Sequence, residues 1–192
     1  MLVSLLAAMS MAINAEHINY TPEDDDFWYY LDTETKTASL SSYRGSAIDV
    51  AIPETVTYDG IVYIINRLGT GCFGYKSSIT SITIPLSVKS CGQFCFEYCS
   101  SLKEIEIPSS VTILEDNCFI GCSSLTSINI PISVTSLGAS CFSGCSSLTS
   151  VDISSSVTTL GVCCFRDCSS LTSVTIPSSV TSLRPSCFNG CN

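Results

Sequence analysis

Apolar and polar residues alternate along this chain in a pattern that returns every 23 residues. One unit, IPISVTSLGASCFSGCSSLTSVDI from Ile130 to Ile153, carries all of its features. Leu148, Val151 and Ile153 follow an L-x-x-I-x-I spacing with Ser150 and Asp152 between them. Successive strand side chains point to opposite faces, so this spacing predicts a short β-strand with an apolar inner side and a polar outer side. Leu137, Cys141 and Cys145 recur at a spacing of four, which predicts one face of a short helix or 3₁₀ segment. Pro131, like Pro85, Pro108 and Pro177, follows the strand; lacking an N–H, it ends the ladder and turns the chain. Val134 and its equivalents Val88, Val111, Val157 and Val180 then face inward again. Each unit therefore reads as strand, turn, short helix, turn, with strands stacking into a parallel sheet at roughly 4.8 Å spacing.

From Leu68 onward the register is strict. Stepping by 23 from Cys141 reaches Cys72, Cys95, Cys118, Cys164 and Cys187, and each is followed by phenylalanine: Phe73, Phe96, Phe119, Phe142, Phe165 and Phe188. A period in the twenties with leucine and isoleucine at fixed offsets marks a solenoid, in which each coil covers its neighbour's apolar face. The fold class is α/β, with a parallel sheet on one face, short helical or 3₁₀ segments on the other, and an N-terminal β-hairpin cap. Residues 48–192 form the solenoid. Its first strand, Ile48 to Val56, lies 32 residues rather than 23 before the next, Ile52 against Ile84, so nine residues are inserted near Tyr58 to Tyr63. Asp59-Gly60 within them favours a tight hairpin turn with positive φ. Residues 16–47 read as an acidic lead-in followed by the capping hairpin, Phe27 to Leu40. A first coil needs such a cap, and Trp28 and Tyr30 are expected to plug the open core end rather than stack on a sugar. The chain stops at Cys191-Asn192, just before the Ser-Ser-Leu start of another unit, which reads as a fragment of a longer solenoid.

The first residues, MLVSLLAAMSMAINA, read as a signal peptide over 1–15: a short apolar core from Leu2 to Ala8, then small residues at Ala12 and Ala15, without a Lys or Arg before the core. The apolar run is too short to span a bilayer. Asn19-Tyr20-Thr21 forms a glycosylation sequon, a pattern too common to support export by itself. The net charge of −9 is uneven, with −8 in residues 1–60 and −1 in the rest. No basic patch exists to meet a phosphate backbone, so nucleic acid is not an expected partner.

Segments such as ITIPLSVKSCGQFCFEYCSSLKEI (Ile82 to Ile105) and INIPISVTSLGASCFSGCSSLTSV (Ile128 to Val151) resemble the BspA-like branch of the leucine-rich-repeat family. TYDGIVYIINRLG resembles the extended first coil of that family. The resemblance covers residues 48–192. Cysteine before each phenylalanine, where the family often has alanine, is the main departure. The resemblance implies adhesion or ligand binding at a cell surface, without implying one ligand or a shared binding motif.

Thirteen cysteines invite redox or metal chemistry. Eleven fall in two ladders: Cys72, Cys95, Cys118, Cys141, Cys164, Cys187, and Cys99, Cys122, Cys145, Cys168, Cys191; Cys91 and Cys163 stand outside them. They read as small buried hydrophobes, with oxidised cross-coil ladders as the alternative. A C-x-x-x-C spacing around phenylalanine is not a zinc knuckle, and the single histidine, His17, lies outside the repeats. No metal or cofactor is expected. Catalysis is not expected either. A Ser–His–acid arrangement would need His17. Glu104 and Glu106 occupy two outward positions of one strand, and Asp24 to Asp26 lack the spacing and glycine of a calcium loop.

The outward strand positions remain. Ser81, Glu104, Ser127, Ser150 and Ser173 run beside Thr83, Glu106, Asn129, Asp152 and Thr175 in two columns. They form the expected binding face for a protein or glycan on a secreted or cell-surface, non-enzymatic module. A structural spacer is the alternative, and a redox or metal protein built on the cysteine ladders a poorer one.

Overall fold

The computed structural model describes residues 17–23 and 25–192; the expected signal peptide over 1–15 lies outside them. Aromatic and β-branched residues build the N-terminal strands: β1 (His17–Tyr20), β2 (Phe27–Asp32), β3 (Thr37–Tyr43), β4 (Asp49–Ala51), β5 (Thr55–Tyr58) and β6 (Ile61–Leu68). The coils then supply β7 (Ser81–Thr83), β8 (Ser90–Cys91), β9 (Glu104–Ile105), β10 (Ile113–Leu114), β11 (Ser127–Ile130), β12 (Ser136–Leu137), β13 (Ser150–Ile153) and β14 (Thr159–Leu160).

Strand stacking follows the sequence period. Val50 sits beside Ile82, and Ile82 beside Ile105, in the parallel run β4-β7-β9; Ile128 sits beside Val151 in β11-β13. The 32-residue step between Val50 and Ile82 is absorbed by an antiparallel excursion, β5 against β6. Asp59 and Gly60 join these strands with φ of 49° and 72°, the left-handed pair that a two-residue hairpin needs. A second parallel column, which the sequence pattern does not reveal, runs through β8, β10, β12 and β14. It continues without interruption from the antiparallel β1-β2-β3 through β6, giving one nine-stranded sheet.

The inner alternation of β2 buries Phe27, Tyr29 and Leu31 and turns Trp28 and Tyr30 to solvent, 39% and 50% exposed. This corrects the expectation that Trp28 and Tyr30 plug the core. Phe27 contacts Tyr43 instead, and Tyr43 contacts Phe73, so the end of the phenylalanine column is closed from the opposite face of the hairpin. The Arg44 guanidinium lies 3.5 Å from the centre of the Trp28 ring. Burial raises the pKa of Tyr29, and its hydroxyl donates to Asp25 at 2.9 Å.

The expected helical or 3₁₀ segments do not form among the described residues. Leu137, Cys141 and Cys145 are buried on one face as their spacing requires, but the chain carrying them is a run of turns. Two residues per coil, four apart, take positive φ: Asn117 and Gly121, Ser140 and Gly144, Cys163 and Asp167. An α-helix of L-residues cannot contain that conformation. The left-handed residues aim amide groups along the solenoid axis. Asn117, Phe119 and Gly121 N–H donate to the carbonyls of Ala139, Cys141 and Ser143 in the next coil, each at 2.8 Å. A helix would spend those donors within its own segment. The turns spend them between coils.

The core is one continuous column. Phe96, Phe119, Phe142, Phe165 and Phe188 stack nearly parallel at centroid spacings of 4.9 to 5.4 Å. The Ser and Thr positions add a further seam. Thr126 and Thr149 hydroxyls donate to the carbonyls of Lys103 and Thr126 one coil earlier, and Ser123, Ser146 and Ser169 repeat the arrangement on Ser100, Ser123 and Ser146. These hydroxyls join coils as well as facing water.

Candidate functional site

The two outward columns stand where the alternation predicts. Thr83, Glu104, Glu106, Ser127, Asn129, Ser150 and Asp152 are exposed and Ser81 is half-buried, while the alternating Ile82, Ile105, Ile128 and Val151 are buried. Register pairs Ser81 with Glu104, Ser127 with Ser150, and Asn129 with Asp152. Ser173 and Thr175 are exposed beyond the last paired strand, in a coil without strand pairing. They continue the face without belonging to its sheet.

The face is not uniform. β9 and β11 belong to different sheets, so the ladder is broken between the Glu104–Glu106 coil and the Ser127–Asn129 coil. Two adjoining hollows straddle that break. One, of about 470 Å³, is lined by Thr83, Leu86, Glu106, Pro108 and Asn129. The other, of about 540 Å³, is lined by Ser81, Glu104, Glu106, Ser127 and Asn129. Leu86 is 65% exposed at the rim, and Ile132, at the matching position two coils on, is 74% exposed. The hollows therefore combine carboxylates, an amide and hydroxyls with apolar walls, the mixture that orients a ligand and holds its apolar parts.

Asp49 belongs to this face and was not among the expected site residues. It precedes Ser81 in the outer column and accepts hydrogen bonds from the hydroxyls of Ser81 at 2.8 Å and Thr80 at 2.9 Å. The Ser81 bond and then the Thr80 bond favour the ionised form and lower the Asp49 pKa. The signal was present in the sequence, since Ile48-Asp49-Val50 matches the later strands once the 32-residue first step is allowed. With Asp49, Glu104, Glu106 and Asp152, the two columns carry four acids and no base.

The cysteine ladders are buried in the core, apart from the half-buried Cys191. All thirteen thiols are unbridged. In the second ladder each thiol is a hydrogen-bond donor: Cys99, Cys122, Cys145 and Cys168 donate to the carbonyls of Phe73, Phe96, Phe119 and Phe142 at 3.1 to 3.2 Å. Burial raises their pKa values, that of Cys99 to about 12. Such thiols stay protonated and unreactive near neutral pH. Among the described residues no group of three or more His, Cys, Asp or Glu side chains is arranged to hold a metal ion, and no helix is long and apolar enough to cross a membrane.

A 23-residue strand-and-turn coil with isoleucine and leucine inside and phenylalanine stacked behind defines a leucine-rich-repeat protein. This chain belongs to the BspA type leucine rich repeat region family, which matches residues 66–192 in six copies. A leucine-rich-repeat protein of T. pallidum is 33% identical and superposes with a TM-score of 0.81 over 89% of this chain and 78% of its own. One from Bacteroides ovatus is 34% identical, with a TM-score of 0.83 over 90% of this chain and 45% of its own. A leucine rich cell surface protein from Faecalibacterium prausnitzii is 25% identical, with a TM-score of 0.58 over 82% of this chain and 54% of its own. Comparison with curated proteins returns no match.

Proposed function

We propose that this chain is a non-catalytic recognition module, exported to the cell surface or secreted, that binds a protein or glycan through the outward strand columns. The observation that carries this reading is the pair of hollows at the break between β9 and β11, which Glu106 and Asn129 line on both sides. Here the columns offer depth, apolar wall and charge together. Export rests on the family and on the F. prausnitzii relative described as a cell surface protein.

Four acids without a base on these columns favour a ligand that presents cations. Binding should weaken as salt rises, because exposed charges are screened over roughly 8 Å at physiological ionic strength. The test is saturable binding of the purified protein to an immobilised panel of extracellular-matrix proteins and glycans, with a Glu106→Lys/Asp152→Lys variant alongside. We expect the variant to lose at least tenfold in affinity while keeping its circular dichroism and melting temperature. Binding that is equal in both proteins would move the site off this face. Absence of binding across the panel by a folded protein would favour a spacer, for which the phenylalanine column and hydroxyl seams already supply a stiff rod.

A further inference from the structure

The two cysteine ladders differ in what their sulfurs do. In the second ladder the S–H groups are occupied, each donating to a phenylalanine carbonyl. At the start of the first ladder the sulfurs meet each other instead: Cys72 Sγ lies 3.5 Å from Cys95 Sγ. The backbones beside them are held by the Phe73 N–H, which donates to the Cys95 carbonyl at 2.8 Å. Equivalent residues of adjacent coils stand about 4.8 Å apart, inside the Cα window of roughly 4.4–6.8 Å that a disulfide needs.

We propose that Cys72 and Cys95 are a disulfide-forming pair that staples the first two coils of the ladder when the protein meets a low-molecular-weight disulfide. Cys72 is the entry point. It is flanked by Gly71 and Gly74, whereas the equivalent positions around Cys95 carry Phe94 and Glu97, and around Cys118 Asn117 and Ile120. Cys72 is buried, and a side chain built on Gly74 would stand 3.1 Å from the Glu97 side chain, but one built on Gly71 would meet nothing within 4 Å, so the reagent reaches Cys72 by local opening on the Gly71 side. The Cys72 thiol loses its proton and attacks one sulfur of the reagent, whose S–S bond breaks and releases one thiolate. Cys95 passes its proton to the first thiolate released as it attacks the Cys72 sulfur of the mixed disulfide and expels the second thiolate. The protein loses two electrons and two protons, and the reagent gains both as two thiols. The sulfurs must close from contact to about 2.05 Å, which side-chain rotation supplies while the backbone hydrogen bond persists.

Selectivity follows from the occupied ladder. Bridging Cys99 to Cys122 would strip Phe73 and Phe96 carbonyls of their donors, whereas bridging Cys72 to Cys95 strips no carbonyl. The competitors are Cys118, which Cys95 also contacts, and Cys91, which reaches Cys95 and Cys118 from the strand side. Cys91 holds the place taken by Leu68, Leu114, Leu137 and Leu160 in the other coils, so only at this level do thiols converge from both sides of the core.

The folded chain is incubated with oxidised glutathione, its remaining thiols are alkylated, and a tryptic digest is mapped without reduction. The expected product joins Leu68–Lys76 to Ser90–Lys103 through Cys95, is present in Cys91→Ala and Cys99→Ala, and is absent in Cys95→Ala and Cys95→Ser. The oxidised wild type should also unfold at a higher temperature than the reduced protein. Complete alkylation of all thirteen cysteines, a product that survives Cys95→Ser, or a dominant link outside this pair would each overturn the assignment. The wild-type map decides even if a variant fails to fold.

Discussion

At the scale of single residues, close coil-to-coil approach is set by glycine. A Cβ on Gly161 would stand 2.4 Å from the carbonyl carbon of Gly138, and one on Gly138 would stand 2.5 Å from the Asp116 amide nitrogen. Both obstacles are backbone, which cannot rotate aside. Gly161→Ala should therefore force the coils apart locally and cost about 1–3 kcal/mol, the range for overpacking a well-filled site. The unfolding midpoint in urea measures it, and a midpoint within error of the wild type would show that the coils separate freely. Charge at this position finds another solution. Glu115 falls in the same column and reaches Arg67, two coils back, at 3.0 Å. The pair is solvent-exposed on the Arg67 side and contributes little by itself.

At the scale of the coil, strand and turn were not equally legible. The L-x-x-I-x-I spacing located the inner strands β7, β9, β11 and β13, because period-two burial has no competing explanation, whereas the same spacing from Leu171 to Ile176 forms no strand. Asp59-Gly60 announced its hairpin for the same local reason. The spacing of four through Leu137, Cys141 and Cys145 identified the buried face but not the element. A turn run with left-handed residues four apart presents the same face as a helix, and glycine marks those positions only at Gly71, Gly121, Gly144 and Gly190, while aromatic and polar residues or cysteine hold the rest. The second strand column escaped because its strands are two residues long and carry no periodicity. On the site, the columns were readable while the hollows were not, since they arise where pairing between β9 and β11 lapses. Trp28 was misplaced because an aromatic run does not declare which alternate residues face inward. The turn segment still makes a firm demand. Phe119 is stacked between Phe96 and Phe142 at 4.9 and 5.2 Å. Phe119→Ala should cost about 3–5 kcal/mol, read as a drop in melting temperature, and more than the same change at the half-buried Phe188. Equal losses at both would mean that the stack does not act as a continuous column.

At the scale of the whole molecule, thiol burial couples stability to alkaline pH. Burial raises the pKa values of Cys95, Cys99, Cys118, Cys122, Cys141, Cys145, Cys164 and Cys168 above the ordinary 9.0. Below pH 9 both the folded and unfolded chains keep these thiols protonated, so no stability is lost there. Above it the unfolded chain ionises first, binds fewer protons than the folded one, and is favoured as pH rises. Cys99, raised to about 12, should by itself lose up to roughly 1.4 kcal/mol per pH unit over that interval. Several thiols acting together make the fall steep, and Tyr29, raised above 10.0, adds in the same direction at the alkaline end. Cys91 runs the other way: hydrogen bonds with Cys118 and then Cys95 lower its pKa to about 5, so the unfolded chain binds the extra proton from there up to 9. Under reducing conditions the urea midpoint should therefore rise gently towards pH 9 and then drop sharply before 12. Cys99→Ala should lower the midpoint at neutral pH, because the Phe73 carbonyl loses its donor, yet make the alkaline slope shallower. A slope identical to that of the wild type would remove Cys99 from the balance. A midpoint that holds through pH 11 would mean that the unfolded chain shields its thiols as well as the coils do.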